Sequence, residues 1–174
     1  MMAQKLGLNA FVPEMDNGLI QELQSILQLV ETDMTLFYRN LALVERSSVQ
    51  QADHEALMAP LMDAYYDPEQ LTDEHRAQVN NWLRHYLARV GQDGTPDTVR
   101  RERMHAVNPK YVLRNYLAQL AIDQAEQGDY SMVRNLLELL RRPYDEQPGQ
   151  DMYAQKRPDW ARHRVGCSML SCSS

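Results

Sequence analysis

Cysteine and long apolar runs are both scarce in this chain of 174 residues. The two cysteines, Cys167 and Cys172, lie within the last eight residues, so they cannot form the disulfide framework of a small secreted domain. No window approaches the roughly 20 apolar residues that a membrane-spanning helix requires. Residues 1–8 lack the basic-then-apolar pattern of a signal peptide. These absences predict a protein of the cytoplasm or of another reducing compartment, without a membrane partner.

Lysine is also rare, because only three of the 18 basic residues are lysines, namely Lys5, Lys110 and Lys156. The net charge is −6, which argues against a nucleic-acid partner, since neutralising phosphates requires a basic face. Arginine suits paired, hydrogen-bonded sites better than lysine does. The abundance of arginine therefore indicates that many of the positive charges have a structural role.

The motifs of nucleotide and metal chemistry are missing from the sequence. It contains no glycine-rich phosphate loop, no serine nucleophile elbow, and neither the HExxH nor the CxxC spacing. The glycines at positions 91 and 94 follow a helical segment and indicate a turn. No histidine has another histidine three or four positions further on. We therefore expect no catalytic, cofactor-binding or metal-binding residue in this chain.

Helical periodicity recurs along most of the chain, whereas the alternation typical of strands is nearly absent. The sequence therefore predicts an all-α fold. We expect a single helical domain over residues 1–142 and an irregular C-terminal arm over residues 143–174, packed on that domain and ending in a cysteine-containing tail. Tyr153 and Trp160 are the expected anchors of this arm. The predicted helical segments cover residues 17–30, the stretch capped by Asp33, residues 57–66, the stretches that follow Thr72 and Thr95-Pro96, residues 110–127, and the stretch capped by Asp129.

Two of these segments predict specific buried faces. The face after Thr72 fits the helical template at six positions, which are Val79, Trp82, Leu83, Tyr86, Leu87 and Val90. The predicted buried stripe after Asp129 comprises Val133, Leu136, Leu137 and Leu140.

The segment of residues 110–127 is expected to be the most buried helix, because most of its residues are apolar or small. Arg114 aligns there with three alanines at positions 118, 121 and 125. An unpaired buried charge costs several kcal/mol. We therefore expect Arg114 to be largely buried and paired with a carboxylate from another helix, in a structural role.

Residues 108–118, with the sequence Asn-Pro-Lys-Tyr-Val-Leu-Arg-Asn-Tyr-Leu-Ala, form the most distinctive segment of the chain. This segment closely resembles a signature near the end of the selenoprotein O family, called YdiU in bacteria. The resemblance continues in the family's order, most specifically from Asn108 onward and more loosely before it. The other similar segments are residues 5–8, 35–39, 125–130, 136–140, 143–148, 158–160 and 171–174.

The resemblance implies a function for the longer protein rather than for this chain. Members of the family have a protein-kinase-like fold, and they transfer AMP from ATP to hydroxyl side chains of other proteins with a divalent metal, Mg or Mn. Their nucleotide-binding and metal-binding residues lie upstream of the matched region. We therefore expect this chain to be the C-terminal part of the kinase-like large lobe plus an extension. Its expected partners are the upstream catalytic region and, through it, protein substrates in the bacterial cytoplasm.

The family places selenocysteine, or cysteine in many bacteria, third from the end of the chain, and Cys172 occupies that position here. This resemblance predicts that Cys172 is a redox-responsive, regulatory residue. Its expected disulfide partner is a cysteine upstream of this chain, with Cys167 as a secondary partner.

Two other readings of the sequence remain open. The chain is alternatively an independent helical module that binds other proteins, in which case an exposed apolar patch should bind something other than the upstream region. A self-contained enzyme would instead require a pocket with convergent polar side chains within this chain.

Overall fold

The computed structural model describes residues 1–47, 54–164 and 166–167. Within these ranges all regular structure is helical, apart from an isolated antiparallel bridge between Thr32 and Tyr65. The predicted all-α class is confirmed. No helix in this part of the chain combines the length and apolar character that crossing a membrane demands.

The chain forms two compact units, Met1–Asn108 and Pro109–Ser174. The division therefore falls before the last two α-helices, and the arm from residue 143 belongs to the same unit as those helices. In the described residues the α-helices are α1 (Met2–Lys5), α2 (Pro13–Ile26), α3 (Met34–Leu41), α4 (His54–Met58), α5 (Asp73–Gln92), α6 (Asp97–His105), α7 (Asn115–Glu126) and α8 (Ser131–Leu140). Short 3-10 helices cover Ala59–Ala64, Pro68–Gln70, Asp151–Ala154 and Asp159–Arg162.

Helix α5 supplies the centre of the first unit. Thr72 caps it as predicted, because its hydroxyl oxygen accepts a hydrogen bond from the backbone N–H of His75 at 3.2 Å. All six positions of the predicted face are buried. The helical period alone therefore identified the side of α5 that faces the core.

Aromatic side chains join α5 to its neighbours. The rings of Trp82 and Tyr86 stack with centroids 5.2 Å apart, and Phe37 of α3 lies 6.3 Å from Trp82. The indole N–H of Trp82 donates to the carbonyl of Leu19 in α2 at 2.9 Å. Since buried Trp needs both apolar contact and a partner for its N–H, this one residue fixes α2 and α3 against α5.

The predicted cap at Asp33 is also confirmed. Its carboxylate accepts from the backbone N–H of Leu36 at 3.0 Å, and its own N–H donates to the carbonyl of Ala64 at 2.7 Å. The same residue therefore begins α3 and holds the 3-10 helix Ala59–Ala64 against it.

The first predicted helix is shifted by four residues, because α2 begins at Pro13 and ends at Ile26. Pro13 occupies the first turn, where its missing N–H costs nothing. The carboxylate of Asp16 accepts from the N–H of Val12 at 2.6 Å, which closes the start of the helix. After the other end of α2, the backbone N–H of Gln28 donates to the carbonyl of Ser25, three residues earlier, so the chain turns more tightly there than in an α-helix.

The second unit corrects the predicted helix over residues 110–127, since α7 begins only at Asn115. The backbone N–H groups of Lys110 and Tyr111 both donate to the carbonyl of Pro143, at 2.8 and 3.0 Å. These long-range bonds hold the backbone before α7 outside a helix. A proline at position 109 predicted a helix start that tertiary hydrogen bonds override.

Two predictions of burial in this unit are wrong. Helix α7 buries only three residues, Tyr116, Leu117 and Ala121, whereas α5 buries eight. In α8 the buried residues are Leu136 and Leu139, while Val133 and Leu137 of the predicted stripe are exposed. Because α8 carries apolar residues on two sides, periodicity could not show which side packs on α7.

The ionisation of Asp97 should make the stability of the fold depend on pH. Burial raises the pKa of Asp97. The hydrogen bond from the backbone N–H of Arg46 and the charges of Arg100 and Arg46 lower it by more than burial raises it, so the pKa lies below the ordinary 3.8. A depressed pKa in the folded state stabilises the fold above the unfolded pKa, and this contribution is lost as the pH falls through the folded value. We expect urea midpoints to decline below about pH 4, a decline that Asp97→Asn reduces.

The matched control for this measurement is Asp63→Asn, which removes an exposed carboxylate of the same unit. That variant should retain the acid-side decline. Equal pH profiles for Asp97→Asn and the unaltered chain would contradict the assignment of the decline to Asp97.

Candidate functional site

Arg114 is half-buried at the N-cap of α7, with extended backbone angles of −73° and 145°. The late start of the helix takes Arg114 out of the expected helical line of alanines, which corrects that part of the prediction. The expectation that Arg114 is largely buried is not contradicted and stays a prediction. The expected pairing with a carboxylate stays a prediction.

Of the two cysteines, only Cys167 lies within the described residues. Cys167 is a free thiol with only 2% of its surface exposed, in a core that includes Tyr116, Leu117 and Ala161. Cys172 lies outside the described residues. A disulfide to Cys167 would require its sulfur to leave this core. The redox role of both residues stays a prediction.

A buried arginine that the sequence did not single out lies at the polar centre of the first unit. The guanidinium of Arg100 is fully buried and donates to the carbonyl of Val44 at 2.6 Å, to the Tyr86 hydroxyl at 3.0 Å and to the Asp97 carboxylate at 3.2 Å. Burial raises the pKa of Tyr86 to about 12, so its hydroxyl keeps its proton and donates to the carbonyl of Leu6 at 2.9 Å. The charge is thus both paired and hydrogen-bonded.

Gly7 is fitted to this cluster. Its φ of +71° lies in the left-handed region, and a Cβ at this position would lie 2.7 Å from Cγ of Arg100 and 2.8 Å from Sδ of Met104. Only glycine meets both requirements. This contact gives a physical reason for the glycine in the segment of residues 5–8.

Two further arginines join segments of the first unit that are distant in the sequence. Arg89 donates to Asp16 at 2.7 Å and to Asp93 at 2.8 Å, so α2 is fastened to the end of α5. Arg39 donates to the carbonyls of His105 and Asn108 at 3.0 and 2.9 Å. These contacts agree with the expectation that arginines are structural. The helical period could have predicted the burial of Arg89, because it follows Tyr86 by three positions on the buried face of α5.

In the described residues, no group of three or more histidines, cysteines and carboxylates is arranged to hold a metal ion.

The second unit contains a groove of about 530 Å³ between α7, the start of α8 and the arm. Tyr116 and Trp160 meet edge to face at its wall, with centroids 6.1 Å apart, and the Tyr116 hydroxyl donates to the carbonyl of Gln155 at 3.4 Å. The sequence predicted Tyr153 and Trp160 as anchors of the arm. Both line this groove, although Trp160 remains 48% exposed.

The groove combines aromatic and thioether groups with a few polar ends. Met132 and Met152 provide polarisable apolar surface, and Gln124, Asn135 and Lys156 provide amide and ammonium groups. Such a lining suits contact with a protein segment. Among the described residues, neither Arg114 nor Cys167 lines this groove.

Comparisons with known proteins give one consistent result. The family model described as protein adenylyltransferase SelO matches residues 1–141. Among the relatives, a protein nucleotidyltransferase YdiU of Rhodopirellula baltica is 54% identical over the whole chain, and those of Tolumonas auensis and Aromatoleum aromaticum are 51% and 49% identical. The chain covers 33% of the first relative and 32% of the other two. It therefore spans about a third of the length of the relatives it matches.

Replacing the buried arginine tests the polar cluster. Arg100→Met keeps the length of the side chain but removes the hydrogen bonds that the guanidinium donates to the Val44 carbonyl, the Tyr86 hydroxyl and the Asp97 carboxylate, of which only Asp97 keeps another donor, Arg46. We expect a loss of about 3–5 kcal/mol in the free energy of unfolding, measured by urea titration. The control Arg141→Met removes an exposed guanidinium and should change that free energy by less than about 0.5 kcal/mol. Similar losses in both variants would contradict a special role for Arg100.

Proposed function

Since the chain belongs to the SelO family, we propose that it is the non-catalytic, C-terminal helical region of a longer protein adenylyltransferase. The longer protein would transfer AMP from ATP to serine, threonine or tyrosine hydroxyls of other proteins in the cytoplasm, and would bind ATP and Mg or Mn upstream of this chain. The observation that carries the proposal is that relatives match the chain along its whole length and are about three times as long.

The proposed role of this region is mechanical support of the catalytic part. The first unit suits such a role, because Arg100, Arg89 and Arg39 each join segments that are distant in the sequence. A region with fixed internal geometry can hold a neighbouring site in place, since small displacements in an active site cost large factors in rate.

Nucleotide binding separates this proposal from a self-contained enzyme. We expect isothermal titration calorimetry of the isolated chain with ATP and Mg or Mn to show no saturable binding, because the sequence lacks a phosphate loop. The Rhodopirellula baltica relative, titrated under the same conditions, is the positive control. Saturable binding to this chain at micromolar ATP would overturn the proposal.

Redox regulation is a further part of the proposal and concerns Cys172. As the third residue from the end of this sequence, Cys172 would form a disulfide with a cysteine of the upstream region under oxidising conditions and so restrain the catalytic part. Thiolate fraction and access control such exchange, and Cys167 is too buried to serve as a ready partner.

The redox role predicts a specific disulfide. In the longer protein, a titration through a redox series followed by disulfide mapping should find Cys172 oxidised, and Cys172→Ser should make activity insensitive to reductant. Cys167→Ala is the control and should leave this sensitivity unchanged. A Cys172 that stays a free thiol throughout the series would disprove the regulatory role.

The alternative function is an independent helical module that binds other proteins. The groove of the second unit favours it, because Met152 and Trp160 expose apolar surface there. This reading differs in its expected partner, which would be a protein other than the rest of the family's own chain.

A further inference from the structure

Exposed apolar side chains are concentrated in the smaller unit of the chain. Of the thirteen large apolar residues that are exposed in the described part, eight lie after Asn108. Single exposed apolar residues are ordinary, whereas grouped ones mark interaction surfaces. The second unit is therefore where a missing contact is to be sought.

Helix α8 carries the most regular group of these residues. Val133 and Leu137 of α8 are 43% and 56% exposed, and Tyr130, the N-cap residue directly before the helix, is 55% exposed. Their spacing of three and four places them on one side of the helix and its first turn. Leu136 and Leu139 face the core of the unit instead. A helix with apolar residues on two sides buries both of them only when each side packs against a partner. The residues Tyr130, Val133 and Leu137 are called the outer stripe below.

Positive charge borders the outer stripe. Arg134 and Arg141 are exposed and lie one turn from Leu137 on either side. Two exposed carboxylates lie near these arginines: Glu138 is 3.6 Å from Arg141, and Asp129, next to Tyr130, interacts electrostatically with Arg134. Because all four side chains are exposed, both pairs are weak and leave the arginines available to a partner. Complementary charge selects a partner face. A partner surface that is complementary to the outer stripe is apolar and has carboxylates at its rim.

We propose that the outer stripe of α8 docks on an apolar, acid-rimmed surface of the upstream two thirds of the longer protein. The inference rests on the proposed function. Its occupant follows from length, because relatives that match this whole chain contain about twice as much additional sequence. A surface within the same chain is present at high effective concentration, so a small apolar stripe suffices to hold it.

Cysteine labelling tests the docking in an intact long protein. The matching third of the Rhodopirellula baltica relative is replaced by this chain, and Leu137→Cys is introduced into the chimera and into the isolated chain. A maleimide then labels both proteins, and mass spectrometry measures the rate at position 137. We expect labelling to be at least about tenfold slower in the chimera, because docking covers this position.

Asn135→Cys is the matched control on the same helix. Asn135 is exposed on the side of α8 opposite Leu137, so it should react at equal rates in both proteins. Equal rates at position 137 would overturn the proposal. If the chimera does not fold, hydrogen exchange of the helix that matches α8 in the unaltered relative replaces labelling, and exchange no slower than in the isolated chain contradicts docking.

One outcome identifies a different occupant. Sedimentation of the chimera as a dimer that Leu137→Glu converts to a monomer would assign the stripe to a second copy and overturn docking on the upstream region. Unprotected labelling together with ATP binding by the chimera alone would leave the proposed function standing while the docking inference fails. ATP binding by the isolated chain would instead contradict the proposed function.

Discussion

The buried charge of Arg100 is the constraint on which the arrangement of the first unit depends. A guanidinium removed from water must satisfy its donors within the protein, and a buried charge without partners is costly. Its partners come from the chain after α3, from α5 and from the first turn of α6. Gly7 must approach its methylene groups without a side chain. Segments separated by up to 93 positions are thus held by one side chain.

The first unit could be predicted further than the second, and the reason is local. The face of α5 and the caps at Thr72 and Asp33 follow from residues within one or two turns, so the sequence pattern contained them. The start of α7 depends on a carbonyl at Pro143, more than thirty positions away from the donors at Lys110 and Tyr111. No window of the sequence could reveal that contact. For the same reason, the helical alignment of Arg114 with alanines did not exist in the fold.

Buried arginines show the same limit at the candidate site. Composition indicated that arginines are structural, yet it could not tell Arg100 from Arg114, because burial is a property of the packed unit. Family resemblance helped where spacing did not, since it marked residues 5–8 and 108–118 as important. The structure adds the physical reason for the first of these segments through Gly7, and it shows that Asn108 binds both Arg39 and the carbonyl of Lys5. The groove depended on the arm, for which only Tyr153 and Trp160 gave a sequence signal.

The misassigned stripe of α8 is informative about function as well as fold. A pattern at i, i+3, i+4 and i+7 assumes that a helix has one apolar side, whereas α8 buries Leu136 and Leu139 and still displays Val133 and Leu137. Surface apolar residues carry no benefit for the stability of the unit that exposes them, and grouped ones favour association. The sequence therefore holds more apolar pattern than this unit needs. In a chain that spans a third of the length of its relatives, that excess leaves apolar surface on α8 to which a further partner can pack.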